Sequence, residues 1–346
     1  MKRRLASRLS AFLLLDIRVS TTRENLTKSI CASDIHAVVC SMQAGINHDR
    51  RIGIEIEVVV PIIGVGENRD VQRLIAEVLT NHGIQSFSRG YTHQPVPTGS
   101  KFAIEHDVSL RDESRYAGLR WSRIEAKTAP MTWNEVEQVL PPALDIIRYV
   151  GSRANYSCGL HVHHHLPEAE QRPEVVRNLQ HLWWRFHPVI YALVAPSRKS
   201  SQYCRPPQIE DAKRFDRVYS YASLCRELQS VDRYHGLNLT NLAKQDRMTV
   251  EWRLHGGTTE WEKIKAWVLA TQRWTEHAVK RSCHLKPEPV PNSQQGFNAL
   301  LTTTGLKPNS RIYRKVEKDL RGVGRYLLRR WKHFNLPEEI KPKAVA

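Results

Sequence analysis

Two glutamates, Glu55 and Glu57, stand two residues apart in the apolar run Gly53-Ile54-Glu55-Ile56-Glu57. Ile52, Ile54, Ile56 and Val58 alternate with Gly53, Glu55, Glu57 and Val59. That alternation predicts a β-strand, whose successive side chains point to opposite faces. The isoleucines then share one face and both carboxylates the other. Like charges so placed repel each other, and a divalent cation between them would relieve the repulsion. Taken alone, such a pair is more simply a solvated acidic face, so the reading depends on what the rest of the chain supplies.

Other segments supply similar faces. Phe102 to Leu110 alternates with Glu105, Asp107 and Ser109 on one side. Trp121 to Lys127 sets Arg123, Glu125 and Lys127 together. Cys158 to His165 sets His161, His163 and His165 opposite Leu160 and Val162. Thr249 to His255 sets Glu251 and Arg253 opposite Val250, Trp252 and Leu254. If these strands share a sheet, its polar face gathers carboxylates, imidazoles and an arginine. Hard oxygen ligands in that number suit Mg²⁺ or Mn²⁺, with an occasional imidazole. Arg253 beside Glu251 would grip a phosphoryl oxygen with two N–H groups. Metals and arginine neutralising charge are how phosphoryl transfer is catalysed. A zinc hydrolase built on His161 and His163, with a glutamate as base, is the competing enzyme reading. The excess of carboxylates over imidazoles argues for the first.

The elements that must carry these residues alternate between strand and helix. After the Glu55 strand, Val71, Leu74, Ile75, Val78 and Leu79 keep helical spacing, and Gly83 ends that helix. Residues 90–99 read as a loop. Thr132 with Glu135 forms a capping box opening the next helix. Pro141-Pro142 should break or kink it before it resumes through Leu144, Ile147 and Val150. Pro173 to Val194 is a long helix with Trp183 and Trp184, followed by an Arg-rich polar stretch. Thr259 with Glu262 is a second capping box, opening a helix to Val279. The fold class is α+β with an antiparallel or mixed sheet.

The chain has 346 residues, enough for a sizeable core, and a formal net charge of +17. That charge points to acidic partners. The six cysteines form no C-x-x-C, which excludes a zinc-ribbon or thioredoxin signature and leaves free thiols as the default. No apolar run approaches the ~20 residues of a membrane span. Residues 1–48 read as a basic, poorly ordered N-terminal extension. Met42 as an alternative start, a transit-like segment and an interfacial helix are its other readings. From about Lys286, Pro287, Pro289 and Pro291 mark a linker. Arg311 to His333 is a basic helix-like stretch with an apolar stripe of Leu320, Val323, Leu327, Leu328 and Trp331. It is expected to dock on the core with its basic face solvated. No nucleic-acid-binding motif accompanies it, so nucleic acid is not expected as a partner.

The ordered motifs G-I-E-I-E (53–57), D-V-S (107–109), R-I-E-A-K-T-A-P (123–130), C-G-L-H-V-H (158–163), L-N-L (237–239) and V-E-W-R-L-H-G-G-T (250–258) resemble the amidoligase family. These are carboxylate–amine ligases related to glutamate–cysteine ligase and glutamine synthetase. The resemblance runs from about Arg51 to Ala278 and is most specific in G-L-H-V-H and E-W-R-x-H-x-G-T. It implies that ATP phosphorylates a substrate carboxylate and an amine then attacks the acyl phosphate. It also implies a curved sheet forming a funnel-like active site, with helices packed on the outer face. By position, Glu55, Asp107 and Glu125 would surround one divalent metal, and Glu57, His161 and Glu251 a neighbouring one. Arg253 would face the transferred phosphate. Lys127 departs from the family pattern, standing where an apolar residue is usual, and would pair with a carboxylate or a phosphate; it and His163 are expected beside the cofactor. Tyr203-Cys204-Arg205-Pro206 also resembles a family segment and reads as a substrate-side loop.

The expectations are therefore an extension over 1–48, a catalytic domain over 49–280, and a linker with a basic helical extension over 281–346. The expected function is an ATP- and Mg²⁺- (or Mn²⁺-) dependent ligase acting on small-molecule or peptide carboxylates and amines. A degenerate ligase fold serving as a basic binding module is the non-enzymatic alternative. The expected location is cytoplasmic, with organellar targeting by the basic N-terminus as the alternative.

Overall fold

The strand carrying the two glutamates, β1 (Ile52–Pro61), is the middle member of a seven-stranded sheet. The computed structural model describes residues 45–62, 68–92, 94–113, 118–307 and 318–336. The expected N-terminal extension up to residue 44, and residues 311–317 of the basic stretch, lie outside them. The strands are β1, β2 (Ser86–Ser88), β3 (Phe102–His106), β4 (Trp121–Thr128), β5 (Gly159–His165), β6 (Leu237–Asn238) and β7 (Thr249–Gly256). Their spatial order is β2-β3-β4-β1-β5-β7-β6, with β2 and β3 parallel and every other pair antiparallel. The sheet is thus mixed and the fold α+β.

One face of the sheet is apolar. Ile52, Ile54, Ile56 and Val58 are fully buried there, with Ile104, Leu160, Val162, Val250 and Trp252 from neighbouring strands. Each such side chain contributes roughly 1.5–3 kcal/mol by leaving water. Helix α1 (Asn68–Asn81) packs on β2 and β3. Helices α2 (Trp133–Tyr149), α3 (Glu174–Tyr191) and α4 (Trp261–Lys280) complete the layer around the core. Trp252 is its aromatic centre, with Trp183 edge-on at 5.5 Å and Trp274 at 5.2 Å. His164 faces this side too: it is fully buried, and its Nε2 meets Thr271 Oγ1 of α4 at 2.8 Å. Burial first, then Arg50 and His163, hold its pKa well below the usual histidine value, so it packs as a neutral ring.

Local chemistry explains where the elements differ from the sequence expectation. Helix α2 is opened by the Thr132–Glu135 capping box and runs on through Pro141 and Pro142 as one helix. The prolines leave the carbonyls of Glu137 and Gln138 without helical donors, a loss of ~3 kcal/mol or more per interior proline. Both residues lie toward the solvent side of the helix, Glu137 half-buried and Gln138 exposed. Burial of Val136, Leu140, Leu144 and Ile147 on the opposite side holds both halves in line. The second capping box does not form. Helix α4 starts at Trp261 with Glu260 as its cap residue, and Thr258 Oγ1 accepts from the Glu260 N–H. Strand β3 stops at His106 because Asp107 Oδ1 turns back to accept the Ser109 N–H at 2.7 Å.

The C-terminal residues pack on α3. Val290 N–H donates to Arg185 O at 2.7 Å, and Trp184 Nε1 donates to Lys286 O at 2.8 Å. Helix α5 (Gln294–Thr303) and helix α6 (Val323–Asn335) meet where Phe297 stacks on Trp331 at 5.6 Å. Leu320, Val323, Leu327 and Trp331 are buried, Leu328 is partly buried, and Arg325 and Arg329 are exposed. Among the described residues no helix is long and apolar enough to cross a membrane.

Candidate active site

The other face of the sheet is polar and floors a cavity of about 990 Å³. Register decides which side chains meet there. Glu57 faces Glu125 across β1–β4, Glu55 faces Lys127 on that side and His161 of β5 on the other, and His163 faces Glu251 of β7. Asn238 of β6 then faces Glu251. All nine sequence-predicted site residues, Glu55, Glu57, Asp107, Glu125, Lys127, His161, His163, Glu251 and Arg253, line this cavity.

His161 is the hub. Its Nδ1 lies 3.1 Å from Glu55 Oε2 and 3.7 Å from Glu251 Oε1, and its Nε2 lies 3.4 Å from Glu57 Oε1. The strand pairing explains the reach. Leu160 pairs with His255 and Val162 with Trp252, so β7 carries one extra residue opposite His161. Such a bulge re-aims side chains, and here it lies at Arg253–Leu254. It also turns His255 to the helix side, buried with its ring 5.1 Å from that of Trp267.

The charges are tightly coupled. Burial and the neighbouring Glu55 charge push the Glu125 carboxyl well above the usual range, against the pull of Lys127. Burial would raise Glu55 as well, but His163 and His161 outweigh it and hold Glu55 well below the usual range. Burial alone would lower His163, yet the charges of Glu251 and Glu55 raise it. Burial would likewise discharge Lys127 and Arg253. The carboxylates beside them, Glu125 and Glu55 for the lysine, Glu251 and Glu55 for the arginine, hold both above their usual values.

Two sets of donor atoms stand close enough to share a cation: Glu55 with His161 and Glu251, and Glu57 with Glu125 and His161. Within each set the donors lie within 4.8 Å of one another. These groups crowd the Gly159 backbone, whose N–H donates to Glu57 Oε2. A Cβ on Gly159 would lie 2.9 Å from His161 Nε2, 3.1 Å from Arg198 Nη2 and 3.2 Å from Glu57 Oε2. Carboxylates converging on one imidazole at the floor of an open cavity are the donor chemistry of a hard divalent cation, so these residues fit one. The sets differ from the division implied by resemblance, which paired Glu55 with Asp107 and Glu125. Asp107 lines the cavity outside both sets, its Oδ1 engaged by Ser109 N–H.

Lys127 Nζ sits 2.9 Å from Glu125 Oε2 and 2.9 Å from Glu105 Oε2. Glu105 has no exposed surface and is held from its far side by Arg89 Nε at 2.7 Å. Sequence reasoning placed Glu105 on the right face but gave it no role. Asn238, whose Nδ2 donates to Glu251 Oε2 at 2.7 Å, is the central residue of L-N-L. Arg253 pairs closely with Glu251 and donates from Nε to Tyr203 O at 3.2 Å. That bond ties the Tyr203-Cys204 segment to the site. Arg198 also lines the cavity, and no alternation or motif singled it out.

The cavity thus combines buried carboxylates, a shared imidazole and flanking cations, a lining that fits a cation. The family is identified directly: a family model described as "Putative amidoligase enzyme" matches residues 48–275. The chain belongs to that amidoligase family. No curated protein matches the sequence. Twelve solved chains match in structure. One is the ligase PafA, solved in complex with the prokaryotic ubiquitin-like protein Pup, with 11% identity and a TM-score of 0.36. That match covers 85% of this chain and 65% of the other, so this chain spans less than two thirds of that ligase.

Proposed function

We propose that the protein is an ATP-dependent ligase that activates a carboxylate as an acyl phosphate and passes the acyl group to an amine. The observation that carries this reading is the shared His161: two carboxylate-rich donor sets meet at one imidazole, beneath a cavity bordered by Arg253 and Lys127. Mg²⁺ or Mn²⁺ held there would screen the triphosphate and the attacking carboxylate from one another. Glu55, Glu57, Glu125, His161 and Glu251 would hold the cations, with Asp107 at the margin through water. Arg253, positioned by Glu251 and Tyr203 O, would take phosphoryl oxygens as charge develops. Lys127 and His163 would neutralise charge on either side of β1. The protein itself would do little covalent chemistry, since an acyl phosphate needs no side-chain nucleophile. Burial first raises the Cys158 thiol to about 12, which fits a packing role rather than attack.

In this reading the polar face curves as a funnel, nucleotide entering at one end and the amine at the other. Residues 49–280 form the catalytic unit, flanked by the 1–48 extension and the 281–346 linker and basic helix. The substrates are small-molecule or peptide carboxylates and amines, and the location is cytoplasmic. The test is a thermal-shift titration. ATP with Mg²⁺ should raise Tm, and Glu57→Ala or Arg253→Ala should remove the rise. Stabilisation by Zn²⁺ alone, with none from ATP and Mg²⁺, would sink the ligase reading and favour the hydrolase.

A further inference from the structure

Arg198 is buried, with 4% of its surface exposed, and lines the cavity. Among the described residues no carboxylate lies within 4.0 Å of its guanidinium. Its Nη2 donates to the main-chain oxygen of Arg253 at 2.7 Å, and its buried Nε has no hydrogen-bond partner. A buried guanidinium that no carboxylate contacts, with an idle Nε, is costly and is relieved when an anion joins it. The side chain is nonetheless held in place. Its short helix, Pro196–Lys199, is tied down by Cys204 Sγ, which donates to Arg198 O at 3.1 Å.

The position of the guanidinium indicates the anion. Nη2 lies 3.1 Å from where a Gly159 Cβ would sit, a point also 3.2 Å from Glu57 Oε2 and 2.9 Å from His161 Nε2. Arg198 thus stands beside the Glu57–Glu125–His161 donor set, as Arg253 stands beside Glu251 in the other. Each donor set has its own arginine, and the bond from Arg198 to Arg253 O joins the two.

On the ligase reading above, we infer that Arg198 is a second phosphate-binding residue, gripping the γ-phosphoryl group from the side opposite Arg253. In the transfer, the bond from the γ-phosphorus to the bridging oxygen breaks and ADP leaves with the electron pair. A substrate carboxylate oxygen forms the new P–O bond, and no proton moves. Throughout, the three non-bridging oxygens need donors, and one arginine supplies at most two in its fork.

The test is calorimetric binding of Mg²⁺ nucleotides to the full chain and to Arg198→Gln. The variant should bind the β,γ-imido analogue of ATP at least about tenfold more weakly, the loss of one charge-assisted hydrogen bond. It should bind ADP within about twofold of wild type, and Arg198→Lys should fall between. Without ligand, the variant's Tm should equal or exceed that of wild type, because an unpaired buried cation has been removed. A structural arginine would instead lower the ligand-free Tm and leave the nucleotide preference alone, which would overturn the inference. So would equal losses for the analogue and for ADP. If Arg198→Gln does not fold, Arg198→Lys carries the same comparison. If wild type binds no nucleotide, the ligase reading fails, and inorganic phosphate becomes the probe. A phosphate-induced rise in Tm lost in the variant supports the anion site, and no rise in wild type overturns it.

Discussion

Glu57 and Glu125 face each other directly across the β1–β4 ladder, and both are buried. Like charges opposite one another in a sheet are destabilising. Burial and the Glu55 charge raise the Glu125 pKa well above its usual value, against the pull of Lys127, so Glu125 takes up a proton more readily than an ordinary carboxylate. A carboxyl whose folded pKa is raised adds stability below its unfolded value and loses it as pH rises through the folded one. A cation at this site would take over from the proton.

Glu125→Gln removes the charge while keeping the shape. In chelator at neutral pH the variant should melt about 1–2 °C higher than wild type, roughly 1 kcal/mol for a chain of this size. The Tm gain from Mg²⁺ with ATP should disappear. A variant that melts lower in chelator would show that Glu125 is ionised and well paired by Lys127 alone.

The capping box makes a prediction with the opposite pH sign. Hydrogen bonds from the Thr132 backbone and hydroxyl lower the Glu135 pKa to about 2. The stabilisation is present above the unfolded value and is lost as pH falls through about 2. Glu135 is partly exposed, so screening trims the effect. Glu135→Ala should cost roughly 0.5–1 kcal/mol at neutral pH. Urea denaturation at several pH values should show that difference shrinking between pH 5 and pH 2.

Much of this site was legible because strand periodicity is a strong constraint. All nine residues assigned to the site, from Glu55 to Arg253, line the cavity, whereas Glu105 and Arg123 from the same predicted faces do not. Register was not legible. Nothing in the sequence says that Glu57 meets Glu125 while Glu55 meets His161, which is why the donor sets group differently from expectation. The β7 bulge was hidden too: strict alternation puts His255 with Glu251 and Arg253, whereas the bulge turns it against Trp267. Arg198 was invisible for another reason. It comes from a four-residue helix in an Arg-rich stretch, and only tertiary folding makes it differ from its neighbours. Pro141-Pro142 misled because local propensity ignores the buried side of α2, which outweighs two missing donors.

Behind the sheet, Arg50 pairs with Glu276 of α4 at 2.6 Å and with Glu168 at 2.8 Å, and its side chain is 2% exposed. Breaking a buried pair from one side costs about 3–5 kcal/mol, because the remaining charge stays desolvated. Glu276→Ala should lose stability of that order in urea denaturation, with nucleotide binding retained in the folded fraction. A loss below ~1 kcal/mol would mean that Glu168 alone satisfies the guanidinium.

Two glycines near the site separate a binding defect from a folding defect. At Gly159, an added Cβ would meet only side-chain atoms: His161 Nε2, Arg198 Nη2 and Glu57 Oε2, at 2.9–3.2 Å. These are the groups assigned to cation and phosphate, and all three are side-chain ends lining the cavity. At Gly257 the same methyl would lie 2.5 Å from Cys158 Cβ and 2.9 Å from Glu57 O, with no room to move. The Gly257 N–H donates to Cys158 O at 2.7 Å, so that approach is built into the backbone. Gly159→Ala should therefore melt within a few degrees of wild type without ligand, a change of ~1 kcal/mol or less, yet lose the gain from ATP and Mg²⁺. Gly257→Ala should lower the ligand-free Tm itself, as overpacking by a methyl costs about 1–3 kcal/mol. If Gly159→Ala kept the full ligand-dependent shift, the point where Glu57, His161 and Arg198 converge would not be where cation and phosphate bind.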